Sequence, residues 1–436
     1  MRLDRASEHI TPYDRLAFSD TQAQALLASG GHRQELTAFF GEREYGELQY
    51  LARRAAAARP GASRPRVLLV PGIMGSQLGF DRVAPLPPDL LWVDPADIIA
   101  GRLRALRVDA AAPLRTMGVV LFSYLRLRLH LVARGFDVTC VDYDWRLGVD
   151  VLGRQLAQRI EAEPHARVHL VAHSMGGLVC RAALSPATWR KVQQVILLGS
   201  PNEGSFAGVQ AVRGTYPVVR KLARLDPRTS AEELAEEVFN TFPSLYHLLP
   251  TAGHSRPIDL FDARQWPKHG PRPRPELLGA ARDARADLAA ANPRCSVIVG
   301  TGQPTVTGIE RADDDFVYTV TPHGDGTVPA FSARLAGAHT YYVACAHSEL
   351  TRDPLIARAV ADILRTGATR RLARRWWPRN RAAARISDAE LRLTHTAKLD
   401  LTALDADARR EYMQTLNEPP PLRLRRPGRR PRRPAG

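Results

Sequence analysis

The stretch Val171-Ala-His-Ser-Met-Gly-Gly-Leu-Val179 constrains this chain more than any other. It reads as a buried strand that stops at one residue, turns sharply and restarts as a helix. Arg167-Val-His-Leu-Val171 is short, apolar and β-branched, as a strand covered on both faces should be, and Leu178-Val-Cys-Arg-Ala-Ala-Leu184 continues as a helix. So abrupt a turn brings strand and helix backbones into near contact, which only small residues two before and two after the turning residue tolerate. Ala172, Gly176 and Gly177 meet that need, and Ser174 occupies the turn itself.

A serine hydroxyl is a poor nucleophile at neutral pH. It needs a positioned base, an orienter for that base, and donors for the oxyanion it creates. His339-Thr-Tyr-Tyr-Val-Ala-Cys-Ala346 reads as a last strand, and His347 follows it in Ala-His-Ser-Glu-Leu. Upstream, Asp325 lies between two glycines in His323-Gly-Asp-Gly-Thr-Val-Pro329, a tight loop. The chain order Ser174, Asp325, His347 is that of α/β-hydrolases and differs from the chymotrypsin and subtilisin orders. Arg66-Val-Leu-Leu-Val-Pro-Gly-Ile-Met-Gly-Ser76 is an apolar strand ending in a Pro-Gly turn, where that fold places an oxyanion donor. The backbone N–H groups of Ile73 and Met175 are the candidates.

Six ordered segments then resemble the lecithin:cholesterol acyltransferase family, which also holds phospholipid:diacylglycerol acyltransferases and bacterial lipase-like members. They are Pro71-Gly-Ile-Met-Gly-Ser76, Tyr143-Asp-Trp-Arg146, Ala172-His-Ser-Met-Gly-Gly177, Pro243-Ser-Leu-Tyr-His-Leu-Leu-Pro250, Gly324-Asp-Gly-Thr-Val-Pro329 and Ala346-His-Ser-Glu349, within about residues 66–365. The resemblance implies two-step acyl transfer from a glycerolipid ester to an alcohol or to water, with Ser174 as nucleophile, Asp325 as acid, His347 as base, and Ile73 and Met175 as oxyanion donors. It also implies that Trp92, in Leu-Leu-Trp-Val-Asp-Pro, contacts acyl chains as the family's lid tryptophan does. Two departures stand out. No cysteine precedes Cys140, so the family's lid disulfide has no counterpart, and Ala172 replaces the more usual glycine. A plain lipase or esterase shares every residue named so far, and a non-catalytic binding protein of the same fold is the reading from another class.

The expected fold is therefore α/β, an α/β-hydrolase with a mainly parallel sheet, a helical cap insertion and a basic tail. Strands are expected at 66–70, 136–142, 167–172, 193–199, 295–301 and 340–345, and helices near 119–133, 149–163, 176–185 and 354–365. Residues 1–65 read as a helical extension, 66–366 as the catalytic domain with its cap at about 205–294, 367–418 as a basic and helical extension, and 419–436 as a disordered Pro/Arg-rich tail.

The net charge of +16 is localised, since seven arginines and no acid fall between Arg370 and Arg385, and seven more between Leu422 and Gly436. Taking seven and seven from +16 leaves +2 for the rest. Both basic segments, the first with Trp376-Trp377 among its arginines, suit peripheral contact with an anionic membrane surface; no specific nucleic acid is expected. The N-terminus has no apolar signal core and no run is long enough to span a bilayer, which predicts a soluble, cytoplasmic chain whose basic segments give it a peripheral place at the membrane. Cys140, Cys180, Cys295 and Cys345 read as buried thiols. No cofactor and no metal are expected, Asp313-Asp-Asp315 reads as a solvated turn, Asp144 and Arg146 as a structural ion pair, and His173 as a packing or hydrogen-bonding residue.

Overall fold

The computed structural model describes residues 5–58, 64–255, 257–378, 383–394 and 396–416. The expected disordered tail at 419–436 lies outside them. Among the described residues, twelve strands follow in chain order: β1 (Arg66–Val70), β2 (Ser76–Phe80), β3 (Asp89–Trp92), β4 (Arg115–Val119), β5 (Asp137–Cys140), β6 (Val168–His173), β7 (Val192–Leu198), β8 (Cys295–Thr301), β9 (Gln303–Ala312), β10 (Asp315–Gly324), β11 (His339–Ala344) and β12 (Ala384–Ser387).

Six of them form one parallel sheet in the order β11-β8-β7-β6-β1-β5, which matches the six expected strands to within two residues at each end. Successive side chains of these strands point to opposite faces. Leu68, Val70, Leu170, Leu197 and Val297 therefore enter one hydrophobic core, while Val67, Leu69, Val171, Ile196 and Ile298 enter the other. The first core holds helices Val149–Ala162 and Gly176–Ala183 together with the helices after β7, and the second holds Leu121–Val132, Pro354–Thr366 and the N-terminal helices Asp20–Ser29, Arg33–Phe40 and Glu42–Ala57. A sheet buried on both faces explains why its strands read as continuous apolar runs instead of alternating ones. The α/β-hydrolase fold expected from the motif order is the fold observed.

Among the described residues, 205–294 contains helices and no strand. Two small antiparallel sheets were not anticipated. One, β3-β2-β4, grows from the loop after β1, and the other, β12-β10-β9, is a long hairpin that delivers Asp325 to the site. Segment 383–394 is pinned to the cap by buried charge: the Asp388 carboxylate accepts from Arg213 Nε at 2.7 Å, from Tyr318 Oη at 2.7 Å and from Thr215 Oγ1 at 3.1 Å. Both ions of this pair are fully buried, so removing either one would strand the other. Further on, helix Ala406–Gln414 returns to the N-terminal helices, where Gln414 Nε2 donates to the Phe39 carbonyl at 2.8 Å.

Candidate active site

β6 ends one residue before Ser174, whose N–H still donates to Leu198 O of β7 at 2.9 Å. Ser174 then turns at φ 54°, in the left-handed region that side-chain-bearing residues avoid, and the helix starts two residues later. The reason for Gly176 is geometric. A Cβ there would lie 2.3 Å from Pro71 O and 2.6 Å from Val70 O, so β1 and the helix approach closer than any side chain allows. Gly72 is constrained likewise, since its Cβ would lie 2.8 Å from Ser174 Cβ.

β11 ends at Ala344 and sets His347 beside the serine, with Nε2 2.9 Å from Ser174 Oγ. Its Nδ1 lies 2.7 Å from Asp325 Oδ2. The hairpin β9–β10 brings in Asp325, whose Oδ1 accepts the N–H groups of Thr327 at 3.0 Å and Val328 at 2.7 Å. His347 N–H also donates to Asp325 O at 2.9 Å, so two backbone segments and a carboxylate fix the ring. A carboxylate only accepts; Nδ1 therefore carries the proton, and Nε2 presents a lone pair to the hydroxyl. Asp325, Ser174 and His347, expected from their order in the chain, are brought together.

Ile73 and Met175 flank the serine, and neither backbone N–H has a partner among the described residues. The loop carrying Ile73 is held from several sides. Gly72 N–H donates to Tyr124 Oη at 2.8 Å, Tyr143 Oη donates to Pro71 O at 2.5 Å, and Trp92 Nε1 donates to Met74 O at 3.0 Å. This last bond corrects the expectation for Trp92. The residue is fully buried, packs on Trp145 at 5.1 Å between ring centroids and does not line the cavity at Ser174, so it braces the loop carrying Ile73 from behind and has no surface to offer an acyl chain.

The cavity in front of Ser174 is walled mainly by apolar residues of the helices after β7, among them Ala207, Ala211, Val218, Leu245 and Leu248. Tyr216 and Thr327 add hydroxyl groups to its wall. Asp144 and Arg146 form the expected ion pair at 2.7 Å, and Arg146 also caps the carbonyl of Leu106 at 2.9 Å. Asp314 accepts the N–H groups of Lys268 and His269 at 2.8 and 3.1 Å within the turn between β9 and β10. Among the described residues, no group of three or more His, Cys, Asp or Glu is arranged to hold a metal ion. All four cysteines are free and buried, and among the described residues no helix is long and apolar enough to cross a membrane. Sequence reasoning places Tyr143 in one of the six ordered segments but assigns no bracing contact to it, and it does not single out Tyr124. Each lies in or after an apolar stretch that betrays only burial, and the carbonyl or amide each one reaches is 52 or 72 residues away in the chain.

Residues 151–232, which contain the serine turn, match the family model described as PGAP1-like alpha/beta domain. A 66-residue stretch is 33% identical to "Uncharacterized protein YJR098C" of Saccharomyces cerevisiae, over 14% of this chain and 10% of that protein. The chain thus spans about a tenth of the length of that curated relative. Among solved structures, the mature form of the Bacillus licheniformis lipase BlEst2 aligns with 70% of this chain and 94% of its own at 15% identity and a TM-score of 0.37. The Tle4-Tli4 complex aligns with 70% and 99% at 15% identity and a TM-score of 0.41. Scores this low carry no functional inference.

Proposed function

We propose that this chain is a serine ester hydrolase or acyltransferase acting on lipid esters through an acyl-enzyme at Ser174. One observation carries the reading: a hydroxyl 2.9 Å from a histidine nitrogen, that histidine 2.7 Å from a buried carboxylate, and two unpartnered N–H groups beside the hydroxyl. Ser174 Oγ attacks the ester carbonyl carbon as its proton passes to His347 Nε2, Asp325 stabilises the imidazolium, and the oxyanion takes the N–H groups of Ile73 and Met175. Collapse expels the alcohol, which recovers the proton from Nε2. Water or a second alcohol then attacks the acyl-enzyme by the same proton route in reverse. The apolar cavity wall suits an aliphatic acyl chain.

Transfer to an alcohol is the reading favoured by the six ordered segments, and hydrolysis requires nothing further of the site. The experiment is incubation with labelled phospholipid and triglyceride, with and without a long-chain alcohol, and identification of products by mass. Ester product that grows with alcohol at the expense of free fatty acid supports transfer, and free acid alone supports hydrolysis. No product from any lipid ester would refute the reading. Peripheral membrane contact belongs to the same proposal: Arg370, Arg371, Arg374 and Arg375 are exposed, and Trp377 is 78% exposed beside them. Replacing those four arginines by Gln is expected to weaken binding to anionic vesicles and leave turnover of a small soluble ester unchanged.

A further inference from the structure

Tyr124 and His173, buried beside Ser174 at the wall of its cavity, connect the two halves of the site. Gly72 N–H donates to Tyr124 Oη at 2.8 Å, Tyr124 Oη lies 3.1 Å from His173 Nδ1, and His173 Nε2 lies 3.0 Å from the carbonyl oxygen of His347. The protons along this path are determined by the partners. A carbonyl only accepts, so Nε2 of His173 carries its N–H. Burial, aided by the neighbouring His347, pushes the His173 pKa down to about 3, so the ring is neutral and Nδ1 is a bare acceptor. The phenol, its oxygen already accepting from Gly72, gives its proton to Nδ1. Burial raises the Tyr124 pKa and keeps that proton in place.

The chain of bonds starts one residue before Ile73 and ends on the backbone of His347, passing through the residue before Ser174. We infer that Tyr124 and His173 are positioning residues that hold the oxyanion loop and the base at a fixed separation around the nucleophile, acting through Gly72 and His347 and not on the substrate. The inference rests on the serine acyl-transfer reading. A second consequence concerns charge. The rings of His173 and His347 are 4.7 Å apart between centroids, and a neutral His173 does not oppose the positive charge that His347 gains during the reaction.

A buried hydrogen bond that only stabilises the fold would lower stability and leave chemistry alone, so the test separates the two. Tyr124→Phe keeps the ring and leaves Gly72 N–H and His173 Nδ1 without their partner. His173→Gln keeps an amide N–H near the position of Nε2 and removes the Nδ1 acceptor. Each variant is assayed for kcat and KM on p-nitrophenyl butyrate, for inhibition by a boronic acid that forms a tetrahedral adduct on the serine, and for urea unfolding. We expect kcat to fall roughly 10- to 100-fold, the extent associated with small misplacements of reacting groups. KM should stay within about twofold, and the boronate Ki should rise by about the factor lost in kcat. The double variant should be little worse than Tyr124→Phe, because both changes cut one link. Unchanged kcat and boronate Ki with lowered stability, in either variant, would overturn the inference. A wild-type protein whose Ser174 fails to react with a fluorophosphonate would instead sink the acyl-transfer reading on which it rests.

Discussion

Gly176→Ala tests whether the close approach of β1 and the serine-bearing helix is what aligns the site. The added carbon would sit 2.3 Å from Pro71 O and 2.6 Å from Val70 O, whereas real Cβ contacts essentially never fall below 3.0 Å. Neither oxygen yields easily: Val70 belongs to a central strand, and Pro71 O accepts from Tyr143 Oη. Strand and helix must therefore part by about 0.7 Å, the difference between 3.0 and 2.3 Å. Ile73 follows one of the separating segments and Met175 begins the other, so the gap between the two proposed oxyanion donors opens by a similar amount. Active constellations tolerate about 0.5 Å. We expect kcat/KM on p-nitrophenyl butyrate to drop on the order of 100-fold, together with a loss of about 1–3 kcal/mol in urea unfolding from overpacking. Gly46→Ala is the control. It lies within helix Glu42–Ala57 with nothing within 4 Å of the added carbon, so activity should not change and stability should rise by up to about 1 kcal/mol. A folded Gly176→Ala variant with kcat/KM near wild type would show that the close approach does not align the site.

Asp325→Asn should retain the Thr327 and Val328 N–H bonds at Oδ1 but present an amide donor to His347 Nδ1, moving the histidine proton to Nε2 and lowering kcat by about 10³–10⁴-fold; His347→Ala combined with it should be hardly worse than either alone. His247 is buried and its pKa is pushed down to about 4, chiefly by desolvation, while its Nδ1 accepts Val149 N–H at 3.0 Å. The unfolded chain therefore binds a proton near the ordinary pKa of 6.5 that the fold refuses until about 4, so its contribution to stability is lost as pH falls through that window. His247→Asn, whose Oδ1 can keep the Val149 bond, should lose less stability than wild type between pH 7 and 4 in urea titrations. Asp94 has the opposite sign. Burial raises its pKa from 3.8 to about 7 against the Thr11 and Ala96 hydrogen bonds that lower it, so the folded state binds the extra proton and stability falls as pH rises from about 4 through 7. Asp94→Asn should gain stability over wild type as pH is raised from 5 to 8, and a pH-independent difference would contradict that assignment.

The serine turn and its partners were legible because each depends on local chemistry. Gly176, the bare run Val67–Val70 and the loop glycines around Asp325 announce a strand, a close approach and a tight turn within a few residues. The long hairpin was partly visible. Phe316, Tyr318 and Val320 alternate with half-exposed neighbours through β10, a period of two residues, but Pro304 and Gly308 interrupt its partner strand β9. Trp92 shows where sequence fails. Its neighbours Leu90, Leu91 and Val93 announce burial and say nothing about whether the indole faces the cavity or the loop behind it. That direction was set by antiparallel pairing of β3 with β2, whose register shifts between Leu78 and Gly79. Tyr124 was hidden for a related reason: in Leu121–Val132 almost every residue is buried, so its place among apolar neighbours announces packing and not the distant partner of its hydroxyl.

The proposed reaction requires that this arrangement activate one serine, Ser174. Treating the protein with a fluorophosphonate and mapping the adduct by peptide mass spectrometry tests it most directly. Stoichiometric modification of Ser174, loss of labelling in Ser174→Ala, and strongly slowed labelling in His347→Ala are expected. Labelling that persists in Ser174→Ala, or an adduct on Ser200, Ser205 or Ser348 in its place, would contradict it.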